Sequence, residues 1–503
     1  MTTKSDVYPQ FPCGELPPEP AQARLLGVYP QRPPGLLMQR VKVPQGRMRI
    51  DQWCGLAVLA RDHTPGYPLH LTTRQDIELH GIRPEDLPAV QRGIAAVGLS
   101  GAAACGDSLR NIVVCPENGL RQGTWDVSPL AEAMQAVAES LPWIGRLPRK
   151  FKISISCCGQ LCARPWINDF GLAVSADGRL RAILAGSLGP RPGLGLPAYD
   201  ALEVGEILPL LIASLRLFYD EGDRANRGRA RLRHVRERLG DEVFRQRIDE
   251  LFRTEKASGV WPAPALRRVE IETPLAARLF LPLGDIAAEP ALELGAAVEA
   301  AGAELRLGLE HDLLIFGTTP LAGSPQLCAL REGPHVVACP GATWCTRGIV
   351  DSRAAALRIG AALSGGLSQF SSDENGTVPF CSAASDAPTV SVTGCPNNCP
   401  QAAVADIGLI GRIKKVGDRR VECFRLWAGG GKGQRPVLAR ELHPAVPADN
   451  IPQVVAWLAS EYRQANSVSP LRFGDFITEQ FTRLAQALER QHDDYEPKHH
   501  DAK

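Results

Sequence analysis

The sequence predicts an α+β fold with mixed sheets, built from two related halves, and three observations carry this. A chain of 503 residues is roughly three times a typical single domain. Short β-rich runs such as 68–80 and 152–156 alternate with helical patterns such as 129–140. Three motifs also recur in one order. Gln75-Asp76 through Gly81 echoes His311-Asp312 through Gly317, and Asn111-Ile-Val-Val-Cys115-Pro116 echoes His335-Val-Val-Ala-Cys339-Pro340. Cys158-x3-Cys162 followed by Asp169-Phe-Gly171 echoes Cys395-x3-Cys399 followed by Asp406-Ile-Gly408. The offsets are 236, 224 and 237 residues. One such match is within chance; three in order point to an ancient duplication, each half supplying one wall of a shared site.

The remaining segments follow from composition. Lys plus Arg number 56 against 55 Asp plus Glu, a formal charge of +1 that excludes a generally polybasic nucleic-acid binder and an acidic, self-repelling chain. The most apolar stretch, Ile207 to Phe218, is interrupted by Pro209 and Arg216 and falls short of the roughly 20 residues that span a bilayer. Met1 to Asp6 has no apolar run after its positive charge, so no secretory signal is expected and the location is expected to be cytoplasmic. Asp220 to Lys256 mixes both charges at helical spacing and reads as a solvated connector between the halves. The tail from Gln491, rich in His and Asp, reads as disordered.

Fourteen cysteines in such a chain argue for reduced thiolates that hold a metal, a cluster or substrate, rather than for a disulfide framework. Cys339 and Cys345 are separated by five residues, Cys395 and Cys399 by three, and the two pairs by 49. Structural zinc sites usually space a pair by about two to four residues, whereas an iron–sulfur cubane accepts varied spacing. Val392-Thr393-Gly394 ahead of Cys395 reads as a strand entering a glycine turn, which presents thiols and backbone N–H groups to one cluster.

These residues resemble the siroheme-dependent sulfite and nitrite reductase family, over about Leu36 to Phe476. Gly394-Cys-Pro-Asn-Asn-Cys399 with Asp406-Ile-Gly-Leu-Ile-Gly411 is similar to the family's second cluster loop, Cys339 and Cys345 to its first, and Phe473-Gly-Asp-Phe476 to a segment near its end. The resemblance implies siroheme and a [4Fe–4S] cluster held by Cys339, Cys345, Cys395 and Cys399, with Cys399 also bridging to the siroheme iron. It implies a duplicated fold of two ferredoxin-like half-domains and two α/β siroheme and cluster domains, related by pseudo-twofold symmetry. The expected divisions are an extension at 1–32, half-domains at 33–100 and 265–330, reductase domains at 101–218 and 331–480, a helical connector at 219–264 and a tail at 481–503.

A small oxyanion held against a carboxylate-rich macrocycle needs concentrated positive charge. Arg74, Arg110, Lys150 and Lys152 match the family's two arginines and two lysines in order, and period-two alternation puts both lysines on one face with Phe151 opposite. By that resemblance Arg74 and Arg110 also contact the cofactor. Arginine suits electrostatic clamping and lysine proton delivery. The expected reaction is six-electron reduction of sulfite to sulfide, because sulfite reductases tend to carry Lys where plant-type nitrite reductases carry Asn, at Lys152. Nitrite reduction to ammonia by the same site is the alternative. A precorrin-3B synthase-like mono-oxygenase ranks lower, and a plain iron–sulfur carrier lowest.

The glycine run Gly429 to Gly431 lacks the context of a dinucleotide fingerprint, so a separate ferredoxin or flavoprotein subunit is the expected electron donor. Cys115, Cys157, Cys158 and Cys162 depart from the family pattern. They read as buried thiols or relics of duplication rather than a second cluster, because Arg121 stands where the counterpart of Cys345 would be.

Overall fold

The computed structural model describes residues 20–321, 327, 330, 335–364, 388–469 and 471–492. They fall into two units, one running through Leu330 and one starting at His335. The first unit opens with β1 (Val28–Pro30), β2 (Leu37–Lys42), β3 (Arg47–Met48), β4 (Leu69–Leu71) and β5 (Asp76–Ile82). β1, β2, β5 and β4 lie side by side, all antiparallel. β1 thus carries the end of the expected extension into the sheet, while residues 1–19 lie outside the described residues. All seven residues of β5 are buried, Asp76, Glu78 and His80 included, so this polar face must find its partners inside the protein. Helices Ile50–His63 and Leu87–Ala96 bury Trp53, Leu56 and Ala60, and Leu87, Val90 and Ile94, in one core with the sheet.

The next domain contains β6 (Val113–Val114), β7 (Trp125–Asp126), β8 (Ile153–Ser156), β9 (Phe170–Val174), β10 (Leu180–Leu184) and β11 (Leu196–Leu202). β6, β8 and β9 run parallel, and β10 and β11 continue the sheet antiparallel. The helix Ile207–Glu221 is buried on nearly every face, as its apolar sequence demands, with Pro209 tolerated in the first turn. The segment read as a solvated connector folds differently from that expectation. Helices Leu232–Leu239 and Asp241–Ala257 bury Leu232, Val235, Phe244, Ile248 and Phe252 in the core of this domain. Phe244, Ile248 and Phe252 recur every four residues, a narrow apolar stripe among the charges. β12 (Arg267–Arg268) then pairs with β7.

The second half-domain repeats the first with β13 (Leu275–Phe280), β14 (Asp285–Ile286), β15 (Glu304–Leu307), β16 (Asp312–Phe316) and the helix Ala288–Ala300. The two half-domains exchange strands: β14 adds to β4, and β3 adds to β15. Each exchanged strand follows a Pro-x-Gly turn with a left-handed central residue, Gln45 at φ 59° and Leu283 at φ 60°. The helices of the two halves share the same core. Trp53 Nε1–H donates to the Ala291 carbonyl at 2.7 Å, and a Cβ on Gly295 would stand 2.4 Å from Cys54 Sγ.

The second unit holds β17 (Val336–Ala338), β18 (Val390–Thr393), β19 (Ile407–Val416), β20 (Arg419–Ala428) and β21 (Arg440–Pro447) in that order. β17, β18 and β19 are parallel, and β20 and β21 antiparallel, the same pattern as β6, β8, β9, β10 and β11. The duplication reaches single backbone angles: Leu161 and Arg164 are left-handed, as are Asn398 and Gln401, 237 positions later. Gly429 and Gly430 donate N–H to the Asp406 and Ala405 carbonyls and Gly431 pairs with Val437, so the glycine run closes a sheet end rather than opening a helix. Helix Phe473–His492 continues through the expected boundary at 480; the rest of the tail lies outside the described residues. Among the described residues no helix is long and apolar enough to cross a membrane.

Candidate active site

Arg74 lies in the turn between β4 and β5, ahead of the left-handed Gln75 (φ 57°). Its guanidinium reaches the neighbouring domain, donating to Asn168 Oδ1 at 2.9 Å, the Asn111 carbonyl at 2.8 Å and the Ile153 carbonyl at 3.3 Å. Gln75 clamps the same turn, donating to the Val114 and Leu307 carbonyls and accepting the Val114 N–H. Arg110 immediately precedes this contact. Its backbone N–H donates to the Phe151 carbonyl at 2.9 Å, and its guanidinium to the Ala104 and Gly106 carbonyls. Phe151 is fully buried while Lys150 and Lys152 are half-buried, the alternation expected. Regular pairing of β8 starts one residue later, at Ile153. All four basic residues therefore gather where β6 and β8 begin.

This arrangement rests on Asp169, which is fully buried. It accepts the Lys152 N–H at 2.8 Å and two bonds from Arg231, through Nε at 3.1 Å and Nη2 at 2.5 Å. Burial, opposed by Asp76 and reinforced by Arg110 and Arg231, pushes the Arg74 guanidinium down to about 10, which leaves it charged at neutral pH. Three further members escaped the sequence reading: Arg40, Lys42 and Asp76. Arg40 stands opposite Glu78 and Lys42 opposite Asp76 in the β2/β5 register, so matching period-two patterns of bases and acids were the available signal.

The thiols are presented by the second unit. Cys339 follows β17 and Cys395 follows β18, and because Ala338 pairs in parallel with Val392, both loops leave one end of the sheet. The loops interlock backbone to backbone. A Cβ on Gly348 would lie 2.3 Å from the Gly341 carbonyl carbon, and one on Gly394 would lie 2.7 Å from Gly341 Cα. Gly394 N–H points at Cys339 Sγ (3.2 Å) and Arg347 N–H at Cys345 Sγ (3.4 Å), contacts of the kind that stabilise cluster thiolates. Burial, with the neighbouring thiols adding, pushes Cys345 up to about 11, Cys395 up to about 12 and Cys339 upward. Cys339, Cys345 and Cys395 each lie within electrostatic reach of Cys399. Among the described residues, however, no three Cys, His, Asp or Glu side chains converge on a single-ion site.

In the first half, Cys115 and Cys157 are buried in the domain core and Cys162 packs against it. Arg121, at the position matching Cys345, pairs with Glu117.

The 4Fe-4S domain model of the nitrite and sulphite reductases matches residues 105–256 and 334–480, and the ferredoxin-like half domain of the nitrite/sulfite reductases matches 29–97. The chain is 27% identical over 491 residues to an assimilatory ferredoxin-dependent nitrite reductase of Haloferax mediterranei, covering 87% of this chain and 81% of that protein. It is 28% identical to a ferredoxin–nitrite reductase of Synechococcus elongatus, covering 87% and 88%. It is 26% identical to the chloroplastic ferredoxin–nitrite reductase of Zea mays, covering 90% and 84%. The solved structure of the Mycobacterium tuberculosis NirA protein shares the fold, with a TM-score of 0.76 over 91% of this chain and 89% of that one, at 22% identity. Both cluster loops and the basic cluster fall inside or beside the matched segments, and the chain belongs to the nitrite and sulphite reductase family.

Proposed function

We propose that this chain reduces nitrite to ammonia with six electrons from a separate ferredoxin, in the cytoplasm. The observation that carries this reading is likeness over most of the chain to ferredoxin-dependent nitrite reductases of archaeal, cyanobacterial and plant origin. It replaces sulfite as the first choice of substrate, which rested chiefly on Lys152. The family's cofactors, a siroheme and a [4Fe–4S] cluster, would when bound supply single-electron transfer chemistry.

This chain's residues divide the remaining work. Cys339, Cys345, Cys395 and Cys399 would hold the cluster, Cys399 being the exposed thiol of the four. Arg74 and Arg110, permanent cations, neutralise the anion and the carboxylates of the macrocycle, while Lys150 and Lys152 deliver protons to oxygens that depart as water. Arg74 and Arg110 are fixed by backbone carbonyls, so their charges are in place before the anion arrives.

Sulfite reduction to sulfide is the second reading, favoured by Lys152: a dianion with three oxygens gains more from a fourth positive group than nitrite does. The test is the ratio of kcat/KM for the two anions with reduced ferredoxin. A preference for nitrite of tenfold or more supports the proposal, and an equal preference for sulfite overturns it. Lys152→Asn should lower sulfite turnover more than nitrite turnover, by about tenfold to a hundredfold for one lost charge-assisted contact.

A further inference from the structure

The two halves differ at the hairpin that follows each Cys-x3-Cys loop. In the first half β9 and β10 are five residues each, joined by a turn at 175–179 in which Ser175 N–H donates to the Arg179 carbonyl at 2.9 Å. In the second half β19 and β20 are ten residues each and pair without a break from Ile407 opposite Ala428 to Val416 opposite Arg419. Ile407 faces Ala428 as Phe170 faces Leu184, so residues 412–423 form an arm where the first half has only its turn.

The arm belongs to the half that carries all four cluster thiols. β18 and β19 are parallel, and Thr393 at the end of β18 pairs with Ile410, so β19 runs on past the sheet end from which both cluster loops leave. Five further residues at about 3.4 Å each carry it roughly 17 Å beyond Gly411. The root of the arm touches the loops. A Cβ on Gly411 would lie 2.3 Å from Val350 Cγ2 and 3.0 Å from the Gly394 carbonyl carbon, and Glu422 accepts the Asp351 N–H at 3.2 Å.

Charge is concentrated here. The arm holds Arg412, Lys414, Lys415, Arg419 and Arg420 against Asp418 and Glu422, in a chain whose formal charge is only +1. Arg412 donates to the Pro444 carbonyl, and Lys415 lies 4.0 Å from Asp418. Lys414, Arg419 and Arg420 are exposed and make no ion pair among the described residues. On the loop that carries Cys345, Arg347 is exposed and Ile349 is 40% exposed. An exposed apolar side chain beside a run of cations is the composition of a docking surface for an acidic protein. Residues 412–423 include no aromatic side chain on which a nucleic-acid base could stack.

We propose that the 412–423 arm, with Arg347 and Ile349, is the docking surface of the electron donor, an acidic ferredoxin, and holds it beside the loops of Cys339, Cys345 and Cys395. It rests on the ferredoxin-driven reduction proposed above and holds for either anion. Each encounter oxidises one ferredoxin by one electron and reduces the enzyme by one, so six encounters serve one anion. Repeated encounters require quick release as well as quick capture. Exposed charges suit this, because they speed association without the slow release of a large apolar contact.

The test uses Lys414→Glu, Arg419→Glu and Arg420→Glu combined in the full-length protein with its cofactors. The donors are a reduced acidic [2Fe–2S] ferredoxin and reduced methyl viologen, a small molecule that needs no docking surface. The triple variant should raise KM for ferredoxin about tenfold or more at low salt and flatten its dependence on ionic strength. Turnover with methyl viologen, KM for the anion and cofactor absorbance should stay within about twofold. Calorimetric Kd for oxidised ferredoxin, a readout independent of turnover, should rise by the same factor as KM. Ferredoxin KM and Kd within twofold of wild type overturn the docking role alone, as does an equal loss with both donors, which marks a structural position. A wild type that works with methyl viologen but neither binds ferredoxin nor accepts its electrons overturns the donor and its docking surface together. A wild type that reduces neither anion with either donor overturns the functional reading and this proposal with it.

Discussion

Replacing Arg231 by Met tests whether Asp169 anchors the basic cluster. Asp169 is fully buried and Arg231 nearly so, and their two hydrogen bonds are joined by the Lys152 N–H. Methionine keeps much of the arginine stem's volume but leaves the carboxylate with a single N–H donor in a low-dielectric interior. Breaking a buried pair from one side costs about 3–5 kcal/mol, because the remaining charge loses its partner without regaining water. Against a stability of about 5–15 kcal/mol this is a large fraction, and it should appear as a marked drop in the urea midpoint followed by circular dichroism. Adding Asp169→Asn removes the orphaned charge and should recover more than half of the loss. Lys152 should register the same change as a higher KM for the anion. A cost of Arg231→Met below about 1 kcal/mol, or no recovery in the double variant, refutes the anchoring argument.

Cys399→Ser should abolish activity and disturb the cluster and siroheme absorbance together; a normally coupled spectrum with full turnover rules out the bridging assignment. Cys158→Ser should leave the iron content unchanged, and loss of about four irons would establish a second cluster in the first half. Gly348→Ala places a methyl 2.3 Å from the Gly341 backbone and should lower iron and sulfide content with little change in circular dichroism; full cluster loading would show that the loops can part. Trp53→Phe removes the donor to the buried Ala291 carbonyl and should cost about 1–3 kcal/mol, read as a urea midpoint; a loss below about 0.5 kcal/mol would mean that this bond does little to join the two half-domains.

What the sequence revealed depended on how local each signal was. Lys150, Phe151 and Lys152 were legible because alternation is a property of three adjacent residues, and the cluster loops because a repeated motif carries its own control in the other half of the chain. The strand exchange was not legible: β3 and β14 are two residues long, and their partners, Arg306 and His70 among them, lie more than two hundred positions away. In 220–256 the charged residues outnumbered the apolar stripe of Phe244, Ile248 and Phe252, so the burial of one helix face was hidden by the solvation of the other. Lys152 spoke for sulfite as a single charge, while likeness along most of the chain spoke for nitrite. Asp76 shows the physical limit most clearly. Its neighbours in sequence mark it as an ordinary strand acid opposite a lysine. Burial lifts its carboxyl to about 6 against four nearby cations, because Arg40, Arg74 and Arg110 direct their hydrogens toward Glu78, Asn168 and four backbone carbonyls and Lys42 pairs with Glu139. A charge that is satisfied elsewhere does not stabilise the carboxylate beside it as a hydrogen-bonded partner would, so the acidity of a buried group is set by its neighbours' other commitments, and these exist only in the folded chain.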